Sequence, residues 1–220
     1  MRRRAAITPL PPSAKQAALA ARHAARRDAI VAVAEELFIA HGFHGVSFAE
    51  LAKAAGLGNA GLVHHFASKA KLYRAVLERL AAELDEYMRG ALAEYAPVDT
   101  RGRLTALVRV VATWSFQRAG RARLMMRELL DNVDRVERAR ALPLASFVAS
   151  CTELVETARA EQLVRTPDSL ALLARIFGTI GYAQIVRPTF AKISGWRVVA
   201  DERRWRDAIV EDLEGSLFHR

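Results

Sequence analysis

The chain has 220 residues, of which 52% are hydrophobic and 26% are charged, and it contains one cysteine. This composition is typical of a globular protein and excludes a disordered chain, a disulfide framework and a multi-cysteine zinc site. Basic residues outnumber acidic ones by 33 to 24, and the formal net charge of +9 favours an anionic partner. Residues 1–74 hold 11 basic and 4 acidic residues, so most of the excess lies in the first third, where a solubilising tail is the alternative explanation.

The first 22 residues are predicted to form a flexible basic arm. Acidic residues are absent before Asp28, and Pro9, Pro11 and Pro12 interrupt the apolar stretch before it reaches the length of a signal sequence. An organelle transit peptide shares this composition but is usually richer in serine. No uncharged apolar run approaches the roughly 18 residues of a membrane span, so we expect no membrane partner and a cytoplasmic protein.

Residues 23–70 are predicted to form a domain of three short helices. Apolar residues recur at helical spacing from Ile30 to Phe38, and Gly42 is placed to end the first helix. The pattern then restarts twice before residue 70, which indicates two further helices.

A tight turn is predicted between the second and third helices. Ser47 and Glu50 have the spacing of a capping box, and Gly56 tolerates the positive φ needed for a turn into a third helix over 59–66. This arrangement is typical of a helix-turn-helix, although any tight pair of helices shares it.

The remainder, residues 71–220, is predicted to be a helical-bundle domain for effector binding and dimerisation. No alternating strand pattern occurs, so the predicted fold is all-α. Pro188 is expected to end a helix. After a long helix that starts at Ser68, the expected helices lie near 101–118, 121–132, 143–160, 168–186 and 202–218.

Basic residues surround the predicted helix-turn-helix. Lys69 and Lys71 lie in the first turn of a helix, where each cation opposes the helix macrodipole by about 0.3–1 kcal/mol. An anionic partner reverses that preference, because the N-terminus of a helix attracts phosphate. Arg26 and Arg27 precede the first helical pattern on the same side, so nucleic acid is the predicted partner.

Residues 28–74 resemble the N-terminal DNA-binding domain of the TetR/AcrR family of transcriptional regulators. The resemblance implies a homodimer that places the helix over 59–65 of each subunit in successive major grooves of a double-stranded operator, about 34 Å apart or a multiple of that distance. It also implies a repressor that an unknown small-molecule effector releases from its operator. The matching residues are Leu37-Phe38, His41-Gly42-Phe43, Ser47-Phe48-Ala49-Glu50-Leu51-Ala52, Ala55-Gly56-Leu57, Leu62-Val63-His64-His65-Phe66, Ser68-Lys69 and Leu72-Tyr73.

The resemblance also suggests which residues contact DNA. It implies that Ser47 and Lys69 contact phosphates. Gly58, Gly61 and Val63 stand where the family usually has hydroxyl residues and a tyrosine, which removes phosphate contacts that an arm in the minor groove can replace. The complete set expected to contact DNA is Arg26, Arg27, Ser47, Asn59, Ala60, Gly61, His64, His65 and Lys69.

Two further sets of residues are expected in the helical bundle, and core packing is the alternative for each. The ligand-binding set is Trp114, Phe116, Met125, Met126, Phe147, Phe177 and Tyr182. The dimer-interface set is Leu173, Phe177, Ile180, Trp205, Ile209, Leu213 and Leu217.

Catalytic and metal chemistry have no support in the sequence. His64 and His65 are adjacent on a helix and point about 100° apart, so we expect no metal site, and no cofactor motif occurs. Cys151 lies on an apolar stripe, which favours a core position over a redox sensor. We therefore expect no enzyme. The competing hypotheses are a helical interaction protein whose basic domain binds an acidic partner, and a small-molecule enzyme built on the bundle.

Overall fold

The computed structural model describes residues 13–94, 99–131 and 143–218, which are almost entirely helical. Within these ranges the structure has one isolated antiparallel β-bridge, between Val164 and Phe218. The prediction of an all-α fold is confirmed. The helices are α1 (Ala14–His41), α2 (Phe48–Ala54), α3 (Asn59–His65), α4 (Lys69–Glu94), α5 (Thr100–Gln117), α6 (Ala119–Asp131), α7 (Ala145–Ala160), α8 (Ser169–Ser194), α9 (Arg197–Ala200) and α10 (Glu202–Leu217).

The second half of α1, α2 and α3 form the predicted helix-turn-helix, which we call the head. The capping box at α2 is present, because the Ser47 side chain accepts from the Glu50 amide and the Glu50 carboxylate accepts from the Ser47 amide at 2.7 Å. Those hydrogen bonds lower the pKa of Glu50. Gly56 turns the chain with a φ of 68°. Leu62 is fully buried and packs in one core cluster with Phe38 of α1.

The first helix begins well before its predicted start. Ser13 and Gln16 form a capping box, and the alanine-rich segment that follows continues as helix into the head. The predicted flexible arm over 1–22 is therefore wrong for residues 14–22. Residues 1–12 lie outside the described residues. Alanine has the highest helix propensity, and no residue between Pro12 and Gly42 interrupts the helix.

The helix α4 crosses the boundary that was predicted at residue 70. It starts against α1 in the head and then packs along α5 in the bundle. The hydroxyl of Ser68 caps it by accepting from the Lys71 amide at 3.2 Å. One continuous helix therefore belongs to both parts of the chain.

The bundle is arranged around α5, which contacts α4, α6, α7, α8 and α10. The prediction that Pro188 ends a helix is wrong, since α8 runs on to Ser194 and stops at Gly195, whose φ is 64°. Proline removes one intrahelical hydrogen bond at a cost of about 3 kcal/mol. Beyond α8, the short α9 packs against both α8 and α10 and buries Val199.

Among the described helices, α8 has the length and apolarity that a membrane crossing requires. An 18-residue window within it has a mean hydropathy of 1.4, and 44% of that window is buried inside the protein. A core helix of a soluble protein has the same properties, so the hydropathy alone does not identify a membrane span. Its unburied part includes Ile185 and Tyr182.

Candidate nucleic-acid interface and ligand cavity

The third helix presents one face to solvent and anchors itself by the other. Asn59, Ala60 and His64 are exposed, whereas Leu62 is buried. Gly58 caps the helix without a side-chain hydrogen bond, which leaves its first amides open. The exposed face of α3 is therefore free to contact another molecule.

Ser47 and Lys69 have different roles in the structure. Ser47 is exposed and uses its oxygen as a helix cap, so its hydroxyl hydrogen remains able to bind a phosphate. Lys69 is half-buried: Nζ donates to the carbonyl of Val46 at 2.9 Å and lies 4.4 Å from the centre of the Phe43 ring. Lys69 thus holds the loop before α2. Lys71 is exposed and was missing from the predicted set.

Arg26 and Arg27 hold the head together. Nη2 of Arg26 donates to the carbonyl of Ala55 at 3.1 Å, in the turn before α3. Nη1 of Arg27 donates to the carbonyl of His65 at the end of α3, and its guanidinium lies 4.2 Å from the centre of the Phe66 ring. The two arginines predicted to contact DNA therefore position both ends of the α3 segment.

Three histidines meet beside the exposed face of α3. The ring of His23, from α1, lies 6.3 Å from that of His64 and 6.4 Å from that of His65. Loss of hydration lowers the pKa of His65, and the neighbouring histidines, Arg26 and Arg27 lower it further. His65 is therefore neutral at pH 7. Within the described ranges, no group of three or more His, Cys, Asp or Glu side chains is arranged to hold a metal ion.

A cavity of about 540 Å³ lies between α4, α5, α6, α7 and α8. Its volume is within the range of small-molecule sites. Five of the seven residues predicted to bind a ligand line it, namely Trp114, Met125, Met126, Phe147 and Phe177. Among the lining residues that the structure describes, none is charged.

The other two predicted ligand residues lie outside the cavity. Phe116 lines a separate cleft of about 140 Å³, and Tyr182 is 63% exposed on the outer face of α8. Val148 and Leu129 line the cavity and were missing from the prediction. They were missed because α6 and α7 carry apolar residues on more than one face.

Residues 30–76, which contain the head, match the family model described as bacterial regulatory proteins, tetR family. Over this segment the chain is similar to the tetR family. It is 39% identical over 83 residues to the HTH-type transcriptional activator FasR of Mycolicibacterium smegmatis, a match that spans 38% of this chain and only 37% of that relative. The matched segment contains the head, which is therefore similar to the helix-turn-helix of these regulators.

Solved structures share the fold over most of the chain. The fatty acid degradation regulator FadR from Bacillus halodurans matches with a TM-score of 0.67 at 19% identity, covering 89% of this chain and 97% of that one. AibR, solved in complex with isovaleryl coenzyme A and operator DNA, matches with a TM-score of 0.61 at 21% identity, covering 88% and 98%.

The chain encloses most of the predicted dimer-interface residues in its own core. Leu173, Ile180, Leu213 and Leu217 are buried within the chain, so they are unavailable to a second copy and that part of the prediction is wrong. The structure favours the alternative of core packing, because α8 and α10 turn these side chains toward α5. The other three, Phe177, Trp205 and Ile209, are half-buried, and Nε1 of Trp205 donates to the carbonyl of Ala183 at 3.0 Å.

A different stripe of α8 faces outward. Ala174, Gly178, Tyr182 and Ile185 are exposed and follow one another at helical spacing. A side chain added at Gly178 would meet nothing within 4 Å, so packing inside the chain does not explain this glycine. At Gly181, by contrast, an added Cβ would lie 3.1 Å from the sulfur of Met126, so this glycine allows α8 to pack closely against α6.

An ion-pair network ties α6 to the head. Glu35 of α1 is 1% exposed and accepts from Nε of Arg121 at 2.5 Å, while Nη1 of Arg121 bonds Glu83 of α4. Arg79 lies farther away, 3.7 Å from the second Glu35 oxygen. The two carboxylates outweigh the loss of hydration and raise the pKa of Arg121. Arg121 thus joins α1, α4 and α6.

Cys151 is expected to be unreactive in the folded protein. Burial, with the nearby charge of Asp85, raises the pKa of its thiol from 9.0 to about 12. At pH 8, labelling by a disulfide reagent should be roughly a thousandfold slower in buffer than in denaturant, and stability should fall as the pH rises from 9 toward 12, where only the unfolded thiol ionises. Rapid labelling in buffer would restore the redox-sensor hypothesis.

Proposed function

We propose that this protein is a homodimeric repressor that leaves its operator when a small, largely apolar molecule enters the cavity of the bundle. The observation that carries the proposal is the position of α6 between the cavity and the head. We propose that residues 23–70 form the DNA-binding part and residues 71–220 the effector and dimerisation part. A DNA-binding protein of this kind acts in the cytoplasm and needs no catalytic group or cofactor.

One face of α6 packs tightly against the head. Gly120 leaves no room for a side chain, since an added Cβ would lie 2.8 Å from Cγ2 of Ile39 in α1. The next residue, Arg121, binds the buried carboxylate of Glu35. A displacement of α6 therefore moves α1 as well, because close-packed interfaces change position as units.

The opposite face of α6 forms a wall of the cavity. Ala122, Met125, Met126 and Leu129 all line it. In this proposal α6 has two positions, and a ligand that separates α6 from α7 and α8 stabilises one of them. The difference in ligand affinity between the two positions sets how far the equilibrium, and with it the head, shifts. The neighbour solved with both isovaleryl coenzyme A and operator DNA supports a regulator of this kind.

The DNA contacts that we propose follow the exposure of each predicted residue. Asn59, Ala60 and His64 face the groove, and Ser47 and Lys71 contact phosphates. Gly61 and His65 are half-buried and lie on the side of α3 that faces away from the groove. Lys69 was predicted to contact a phosphate, and we propose instead that it acts by holding the loop before α2.

The test of the proposal is footprinting on the DNA that flanks the gene of this protein, followed by affinity measurements in a salt series. We expect a symmetric protected region and an affinity that falls steeply with salt, with a slope of about −0.9 for each phosphate neutralised. Equal affinity for every duplex, or an affinity that does not respond to salt, would contradict a sequence-specific regulator.

Asn59→Ala is expected to relax the preference for one base pair, because an amide side chain can form two hydrogen bonds with adenine in the major groove. The loss should be about 1–3 kcal/mol on the footprinted duplex and small on a scrambled one. Lys71→Ala is the matched control, since removing a cation that binds a phosphate weakens both duplexes alike. A uniform loss for Asn59→Ala would remove Asn59 from the groove.

Val148→Trp is expected to abolish ligand binding while leaving DNA binding intact. Val148 lines the cavity and is half-buried, so the indole has room to fill the space without overpacking the core. Fluorescence titration with the neutral dye N-phenyl-1-naphthylamine should show at least a tenfold weaker affinity. Val198→Trp, at an exposed site on α9, is the control and should bind the dye like the wild type. Unchanged dye binding by Val148→Trp would show that the cavity is not the binding site.

Activation is the second candidate, because the relative that is 39% identical over 83 residues is a transcriptional activator. Both candidates use the same duplex contacts, so they differ only in where the protein binds relative to the promoter. A reporter driven by the footprinted promoter decides between them. Deleting the gene raises expression from a repressed promoter and lowers it from an activated one.

A further inference from the structure

The first four turns of α1 form an exposed helical extension that buries no side chain. Every residue from Ala14 to Ala29 is exposed, and this segment is about 24 Å long at 1.5 Å per residue. Leu19, its one large apolar side chain, is 57% exposed. Alanines cover one side, so the extension offers no large apolar face for a core, and its contacts with the head come from His23, Arg26 and Arg27 near its end.

The charged side of this extension is entirely basic up to Asp28. Lys15, Arg22 and Arg26 are spaced i, i+7 and i+11, which places them within about 40° of one another around the helix. We call these three residues, with His23 beside them, the α1 stripe. Lys15 lies in the first helical turn, which contains no acidic residue, and a cation there opposes the macrodipole. A nearby anion removes that penalty.

The α1 stripe is continuous with the exposed face of α3. Arg26 binds the turn before α3, and His23 lies against His64 and His65 at its end. Arg22 and Lys15 extend the same side beyond the head by about 16 Å from Arg26, and no described side chain pairs with either. The major groove is about 12 Å wide, so a basic surface of this length beside α3 reaches the flanking phosphates.

We propose that the α1 stripe is a second DNA-binding surface, on which Lys15 and Arg22 contact the phosphate backbone next to the groove that receives α3. This proposal rests on the proposed function, because it assumes that the head binds duplex DNA. The contacts are to phosphates and carry no base preference. They raise affinity for all duplexes and replace phosphate contacts that Gly58 and Gly61 cannot make.

The test uses the full chain with Lys15→Ala and Arg22→Ala combined, which keeps the helix because alanine is the best helix former. Binding to a fluorescent 24-base-pair duplex of random sequence is measured by anisotropy in a salt series. We expect about a tenfold loss of affinity at low salt and a slope reduced by about 0.9 for each phosphate that the variant no longer neutralises. The charge-matched control combines Arg103→Ala with Arg165→Ala, two exposed arginines of the bundle, and should bind like the wild type.

The outcomes separate this proposal from the function on which it rests. If the wild type binds the duplex and the Lys15/Arg22 variant has the same affinity and slope, the α1 stripe is not a DNA surface and the regulator proposal stands. If the wild type shows no salt-dependent affinity, both fail. If the variant keeps its duplex affinity but loses binding to polyglutamate, the stripe serves an acidic protein and the DNA proposal is overturned.

Discussion

Arg121→Met is expected to destabilise the protein by about 3–5 kcal/mol. The substitution leaves the Glu35 carboxylate buried, at 1% exposure, without its close cationic partner. An unpaired buried charge costs far more than the pair contributes, and the more distant Arg79, at 3.7 Å, compensates for only part of it. Urea unfolding followed by circular dichroism measures the change.

Two further variants show whether the burial of Glu35 causes the loss. Glu35→Leu combined with Arg121→Met removes both charges and should recover most of the stability, because apolar replacements of a buried pair are often neutral. Arg74→Met disrupts the exposed Arg74–Glu78 pair on α4 and should cost about 0.5 kcal/mol or less. If Arg121→Met lies within 1 kcal/mol of the wild type, Glu35 is not held by Arg121 in solution.

Local signals in the sequence predicted the head well because its helices start and stop at short-range motifs. The Ser47–Glu50 capping box and the turn at Gly56 each depend on residues within a few positions of one another. The same signal occurs at Ser13–Gln16, where the preceding prolines suggested an arm instead of a helix. Pro188 misled in the opposite direction: a proline is a local signal for a helix end, yet α8 continues past it to Ser194.

The roles of the basic residues could not be predicted, since a sequence does not show which cations pair with backbone carbonyls. Arg26, Arg27 and Lys69 all have the charge that a DNA interface needs, and each is bound to a carbonyl of the head. Cations that do not bind a carbonyl of the head, Lys71 among them, have the same charge and cannot be told apart from these three by sequence. Only the folded positions of Ala55, His65 and Val46 distinguish the two groups.

Core residues were predicted to lie in a dimer interface because α8 is apolar on both sides. Leu173 and Ile180 face the core, whereas Ala174 and Gly178 face outward, and both sets recur at helical spacing. A hydropathy pattern cannot separate a core stripe from an interface stripe when the two lie on one helix. The small residues on the outer stripe are the better indication, because they let a second helix approach closely.

The homodimer that we propose would use the outer face of α8, which would give this stripe a partner. On α10, which packs beside α8, Ala208 and Gly215 are also exposed, and a side chain at Gly215 would meet nothing within 4 Å. Two such helices from each subunit form a four-helix interface with small residues at its centre. The exposed Tyr182 and Ile185 then supply the apolar contact area.

Gly178→Arg is therefore expected to convert the protein into a folded monomer. Within one chain the arginine has free space and replaces a helix-breaking glycine, so the monomer should gain up to about 1 kcal/mol in stability. In the dimer the same side chain would place a charge in each half of a closely packed seam. Sedimentation velocity should show half the wild-type mass, and operator affinity should fall about 100-fold or more, because two linked half-sites no longer bind together.

Gly90→Arg is the matched control for this variant. Gly90 also lies in a long helix, α4, is exposed and has nothing within 4 Å of an added Cβ. The control should remain dimeric and keep its operator affinity, since α4 takes no part in the proposed interface. A dimeric Gly178→Arg variant would place the interface elsewhere. A wild type that associates with vesicles instead of sedimenting as a dimer would mean that the outer face of α8 meets lipid.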